Sequence, residues 1–164
     1  PLIDPVAAPL DPEKVVRLLR LDKRGEGEAE ARSLLIEAEA LFRPRAFYRE
    51  SYVETRVEDA VVVDGRCFKS RILRQNIGES FKVFPYVLTI GPELETRAAS
   101  LGDPLRRYDL EVLADAALEA AAETLRTRLQ RESGIPRLSS MSPGRFGDRN
   151  FLFRLTPVTN PISS

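Results

Sequence analysis

The chain has 164 residues, 43% hydrophobic and 30% charged, with Lys+Arg and Asp+Glu both at 25 and a formal net charge of zero. That composition predicts a globular domain with a real core and argues against nucleic acid as the main partner, since phosphate binding normally needs a basic excess. There is no histidine and one cysteine, Cys67, which excludes Ser-His-Asp and Cys-His catalysis, His-ligated metals, an internal disulfide and a thiolate zinc cluster.

Residues 1–10 read as an extended arm, because Pro1, Pro5 and Pro9 oppose a helix. Asp11-Pro12-Glu13 is a helix start, with Val15, Val16, Leu18 and Leu19 as the apolar face. Gly25 and Gly27 separate it from a second helix over 28–42, striped by Ala31, Leu34, Leu35, Ala38, Leu41 and Phe42 and stopped by Arg43-Pro44. Residues 46–58 read as a strand. Val61-Val62-Val63, Asp64-Gly65 and Cys67-Phe68 spell a hairpin with a type I′ turn. Cys67 is expected in the core rather than as a nucleophile. A short helix is expected over 70–79.

Residues 81–90 form the strongest strand pattern, and Pro85 inside it predicts an edge or a bulge. Thr89-Ile90-Gly91 is a structural turn into a helix over 92–101, which Gly102-Asp103-Pro104 breaks. A long helix follows over 108–132, striped by Leu110, Leu113, Ala114, Ala117, Leu118, Ala121, Leu125 and Leu129. Residues 151–156 look like a closing strand. Helices and strands mix without a βαβ rhythm, so the expected class is α+β: one domain over 1–164, a twisted antiparallel sheet packed with helices. No apolar run reaches the roughly 18 residues of a transmembrane helix, and the first residues lack a signal-peptide pattern. With one cysteine, that favours the cytoplasm.

Two features point to a small-molecule site. The stretch Ser140–Asp148 holds Pro143, Gly144 and Gly147 without periodicity, as a loop that lets backbone groups approach a ligand. Before it, Glu111, Asp115, Glu119 and Glu123 recur at i+4 and form an acidic row on the long helix. One reading is a solvated face compensated by Arg106, Arg107 and Arg126. The other is that a carboxylate receives a cationic ligand, with Glu119 favoured because Ala120, Ala121 and Ala122 leave room beside it. Arg137, Arg145, Arg149 and Arg154 surround the loop, as anion partners or as plain surface charge.

The ordered set Arg43-Pro44-Arg45, Phe84–Leu94, Leu101-Gly102-Asp103, Leu113–Asp115, Glu119–Glu123, Ser142-Pro143-Gly144 and Gly147-Asp148 resembles the activation domain of vitamin B12-dependent methionine synthase, in its stand-alone bacterial form. The resemblance covers most of the chain. It implies a methionine synthase activation-domain fold that binds S-adenosylmethionine and serves cobalamin on a partner protein, with a flavodoxin-like electron donor. The family's helix glutamate falls on Glu119. Its Arg-x-x-x-Gly-Tyr loop falls on 140–145, with Ser142, Gly144 and Arg145 as the further cofactor-binding positions. Ser140 stands where the family has arginine, and Arg145 where it has tyrosine. The family's Trp-Pro-Leu stretch has no counterpart, because the chain has no Trp.

The expected function is therefore reactivation of a cobalamin-dependent methyltransferase, methionine synthase first, by an accessory subunit with no catalytic residue and no metal of its own. The alternative is a corrinoid-protein docking module of the same fold without S-adenosylmethionine. A corrinoid protein of another methyl-transfer pathway is a third possibility. No nucleic acid or membrane partner is expected.

Overall fold

The structure is a computed structural model that describes residues 1–135, 137, 138 and 140 and the backbone of 151–157. It is α+β: five α-helices and a seven-stranded antiparallel sheet among the described residues. Helix α1 (Pro12–Leu19) begins as the sequence predicts, with the Asp11 side chain accepting from the Lys14 N–H at 2.7 Å and Pro12 in the first turn. A 3-10 turn, Leu21–Arg24, follows before helix α2 (Glu28–Leu41). The arm is not free. Its Leu2–Ile3 segment is strand β1, paired with strand β2 (Arg45–Tyr48), and Ile3 and Val6 are buried.

Strand β2 and strand β3 (Ser51–Val57) are two parts of the single strand expected over 46–58. Both hold one register against strand β6 (Lys82–Thr89), Tyr48 opposite Tyr86 and Ser51 opposite Val83. The interruption, Arg49-Glu50, has a local cause. In an antiparallel ladder a residue's N–H and C=O point the same way. The Pro85 carbonyl accepts from the Arg49 N–H at 3.1 Å, so the donor that proline lacks also points at the interruption. Strand β7 (Phe151–Pro157) pairs along the other side of β6, so β6 is central. The edge or bulge expected from Pro85 is thereby corrected: β6 keeps an unbroken register on both sides, and a break in the facing strand accommodates the proline.

Past Tyr52, β3 leaves β6 for strand β4 (Ala60–Val63), with a register shift between Val53 and Thr55 that bends the ribbon. Asp64 and Gly65 both have positive φ, 46° and 72°, as the type I′ turn requires, and lead into strand β5 (Arg66–Lys69). Helix α3 (Arg71–Ile77) covers this hairpin over a small core of Val61, Val63, Leu73, Ile77 and Val83. Cys67 is exposed, which corrects the expectation of a core cysteine. It lies on the outermost strand opposite Val62, while its neighbour Phe68 turns toward the small core.

The main core lies on the other face of β6, since Phe84, Tyr86 and Leu88 alternate with Val83. It packs against α1, α2, helix α4 (Glu93–Ala99) and helix α5 (Pro104–Ser133). Gly91, at φ +84°, turns β6 into α4, and a Cβ there would lie 3.0 Å from the Arg43 Cβ. Among the described residues no helix is long and apolar enough to cross a membrane.

Helix α5 has 30 residues and is about 45 Å long. It begins four residues before the expected start, because Asp103-Pro104 is a cap and first turn rather than a breaker. The Asp103 carboxylate accepts from the N–H groups of Leu105 and Arg106 at 2.9 and 3.4 Å. Asp103→Ala is expected to lower stability by about 1 kcal/mol in urea denaturation. An unchanged midpoint would show that α5 is nucleated elsewhere.

Candidate functional site

The second half of α5 supplies one wall of the candidate site. Gly134 ends the helix in the left-handed region, φ +69°, and the chain reverses along it. Leu138 is buried in the core, and the Ser140 Oγ lies 3.3 Å from the Tyr86 hydroxyl on β6. Between helix and returning chain is a hollow of about 330 Å³, lined by Glu119, Ala122, Glu123, Arg126, Leu138 and Ser140. The helix residue singled out from the sequence and the first residue of the glycine-containing stretch thus border one space. Ser142, Gly144 and Arg145 lie outside the described residues, as do Arg149 and Gly147-Asp148. Arg137 is exposed beside Leu138.

Two members of the acidic row pair with arginines of the same helix. Glu111 accepts from the Arg107 Nε at 3.1 Å, one turn earlier. Glu123 accepts from Arg126 through the guanidinium Nε at 2.8 Å and through Nη2. That hydrogen bonding holds the Glu123 carboxyl below its ordinary range and raises Arg126 above its own. So these two members belong to the compensated surface that the charge pattern allows. Arg106 does not serve the row. It reaches across to α2, where it donates to Glu30 and Glu37, and Glu37 also accepts from Arg97 of α4. Glu119 is exposed on the hollow's rim.

The alanines beside Glu119 have another role than expected. Ala120, Ala121 and Ala122 are all buried, so they bring α5 close to the sheet and its neighbours. Of the three, Ala122 lines the hollow. The Arg126 guanidinium engages Glu123 and lies 3.4 Å from the Gln130 Oε1. Its five N–H groups exceed those contacts, so donors remain for a further acceptor. The site therefore presents a carboxylate, a guanidinium, a hydroxyl and apolar patches from Ala122 and Leu138. A second hollow, about 240 Å³, lies between α4 and α5 over Leu94, Ala98, Leu110 and Ala114, with the paired Arg107 and Glu111 on its rim.

Sequence reasoning missed the contacts that fix α5 as the site's support. The Arg24 guanidinium on the 3-10 turn grips Asp109 with two bonds, 2.9 and 3.0 Å. At the far end the Tyr48 hydroxyl donates to Glu132 at 3.0 Å. Both join residues more than eighty positions apart, so no local pattern could reveal them. No protein-family model matches the chain, and no curated protein matches it either.

Proposed function

We propose that this chain is an S-adenosylmethionine-binding reactivation subunit for a cobalamin-dependent methyltransferase in the cytoplasm. Methionine synthase is the first candidate for the partner, and a flavodoxin-like protein for the electron donor. The observation that carries this reading is the shared hollow of Glu119 and Ser140, the two segments to which the family resemblance assigns the ligand.

The groups present suit such a ligand. A carboxylate at Glu119 attracts a sulfonium or ammonium, and the N–H groups that Arg126 still offers suit a carboxylate. Ala122 and Leu138 give apolar surface for a flat ring. The volume is at the lower end for small-molecule sites, which run from about 300 Å³ upward. When bound, S-adenosylmethionine supplies an electrophilic methyl group, and the cobalamin carried by the partner is its acceptor. Transfer from a sulfonium calls for no protein base, which agrees with a chain without histidine. The contribution of α5 is to fix the ligand's cationic end against a rigid helix.

Titration calorimetry with S-adenosylmethionine tests the reading. Saturable binding is expected, and Glu119→Ala is expected to weaken it at least tenfold, about 1.4 kcal/mol. Equal affinity in wild type and variant would remove Glu119 from the site. The docking-module alternative draws support from Ser140, which bonds Tyr86 where the family has an arginine. A folded chain that binds no S-adenosylmethionine would favour it.

A further inference from the structure

The chain's charges balance, and most arginines described in the helical layer hold a carboxylate, as Arg24, Arg97, Arg106 and Arg126 do. One place differs. On the α3 side of the sheet, an open groove of about 500 Å³ is lined by Arg56, Arg71, Arg74 and Gln75, with Val57, Glu58 and Asp59 along the turn that ends β3. The Arg56 Nε donates to the Gly78 carbonyl at 2.9 Å, and its Nη2 to the Ser80 carbonyl. The Arg74 Nη1 lies 3.5 Å from the same Gly78 oxygen. Two guanidiniums thus converge on one neutral acceptor, and Arg71 lies one turn before Arg74 on α3. Among the described residues none of the three forms an ion pair with Glu58, Asp59 or any other carboxylate.

Arg56 and Arg74 meet on one carbonyl oxygen without a paired carboxylate, so Glu58 and Asp59 on the lip offset their mutual repulsion only in part. An oxyanion in the groove would relieve it. Carbonyl bonds occupy part of Arg56 and the edge of Arg74, so each retains N–H groups, while exposed Arg71 retains its fork. Three guanidiniums outnumber the two lip carboxylates, and their remaining N–H groups suit the several acceptor oxygens of a phosphate. The carboxylates of Glu58 and Asp59 on the lip oppose a long polyanion, and the zero net charge gives no basic track for one.

We propose that this groove binds a compact phosphate group, such as the phosphate of a small metabolite, with Arg56, Arg71 and Arg74 as its ligands. The proposal does not rest on the Glu119 site, which lies on the opposite face of β6.

Pyrophosphate titrated calorimetrically into the full chain at low ionic strength is the test. Saturable one-site binding is expected, weakened roughly tenfold by Arg71→Gln and abolished by Arg71→Gln with Arg74→Gln. Arg71 is exposed, so its replacement keeps the fold, whereas Arg56→Gln removes two structural bonds. Arg17→Gln on α1 and Glu119→Ala are expected to leave pyrophosphate affinity unchanged. Four results would overturn the proposal: no saturable heat, acetate binding as tightly as pyrophosphate, Arg17→Gln weakening binding as much as Arg71→Gln, or a single-stranded oligonucleotide binding more tightly than pyrophosphate.

Discussion

Asp109→Ala is expected to lower the unfolding free energy by about 3 kcal/mol. The Asp109 side chain is 6% exposed and Arg24 21%, and the two are joined by a bidentate bond that raises the guanidinium pKa above its ordinary value. Removing the carboxylate leaves a half-buried cation without its partner, and the desolvation that the pair had offset then counts in full. The value falls at the low end of the range for buried pairs, because Glu26 lies 4.0 Å from Arg24 and can take over part of its charge. Replacing both residues, Arg24→Met with Asp109→Leu, is expected to recover most of the loss, since nothing charged then remains to be solvated. Urea denaturation of the two variants decides the matter. A single variant within about 0.5 kcal/mol of wild type would mean that Arg24 simply turns to solvent.

That pair also shows where sequence reading stops. Asp11-Pro12, the Asp64-Gly65 turn and the stripe of α5 were legible because each is set by residues close in the chain. Asp103-Pro104 carries the same helix-start signature as Asp11-Pro12. The same three residues, Gly102-Asp103-Pro104, lead from the end of α4 into the start of α5, so a break and a start share one signal. Pro85 was legible as an irregularity but not as a position, since whether a proline costs a ladder bond depends on the strand that faces it. Here that strand is interrupted at Arg49-Glu50, and the Arg49 N–H reaches the Pro85 carbonyl. Cys67 was misplaced for a related reason: alternation gives the two faces of a strand, while exposure depends on its being the sheet's last strand.

For the site, helical spacing placed Glu119 on an acidic row, the small residues beside it favoured it, and the family resemblance falls on the same residue. The hollow it borders depends on the reversal at Gly134 and on the bond between Ser140 and Tyr86, which is set by tertiary structure. The arginine groove gave no sequence signal, because Arg56 and Arg71 come from separate elements and meet only when the hairpin curls under α3.

Leu113→Ala should separate the support of the site from the site itself. Leu113 is fully buried on the inner face of α5, in the main core. Truncating it removes three carbons' worth of apolar contact and leaves a cavity, and the cost depends on how far the surroundings close over it. Closure is limited here. The helix is capped by Asp103 at one end, tied by Arg24 near it and by Tyr48 at the other, and its neighbours Ala114 and Ala117 are too small to fill the gap. The expected loss is therefore about 3–4 kcal/mol, in the upper part of the range for buried leucines. For a chain of this size that corresponds to a fall of roughly 10 °C in melting temperature. Because Leu113 and Glu119 occupy different faces of one helix held at both ends, the S-adenosylmethionine affinity proposed above, measured at a temperature where the variant remains folded, should change less than twofold. A large loss of affinity with Leu113→Ala would mean that the hollow depends on the packing of α5 along its whole length.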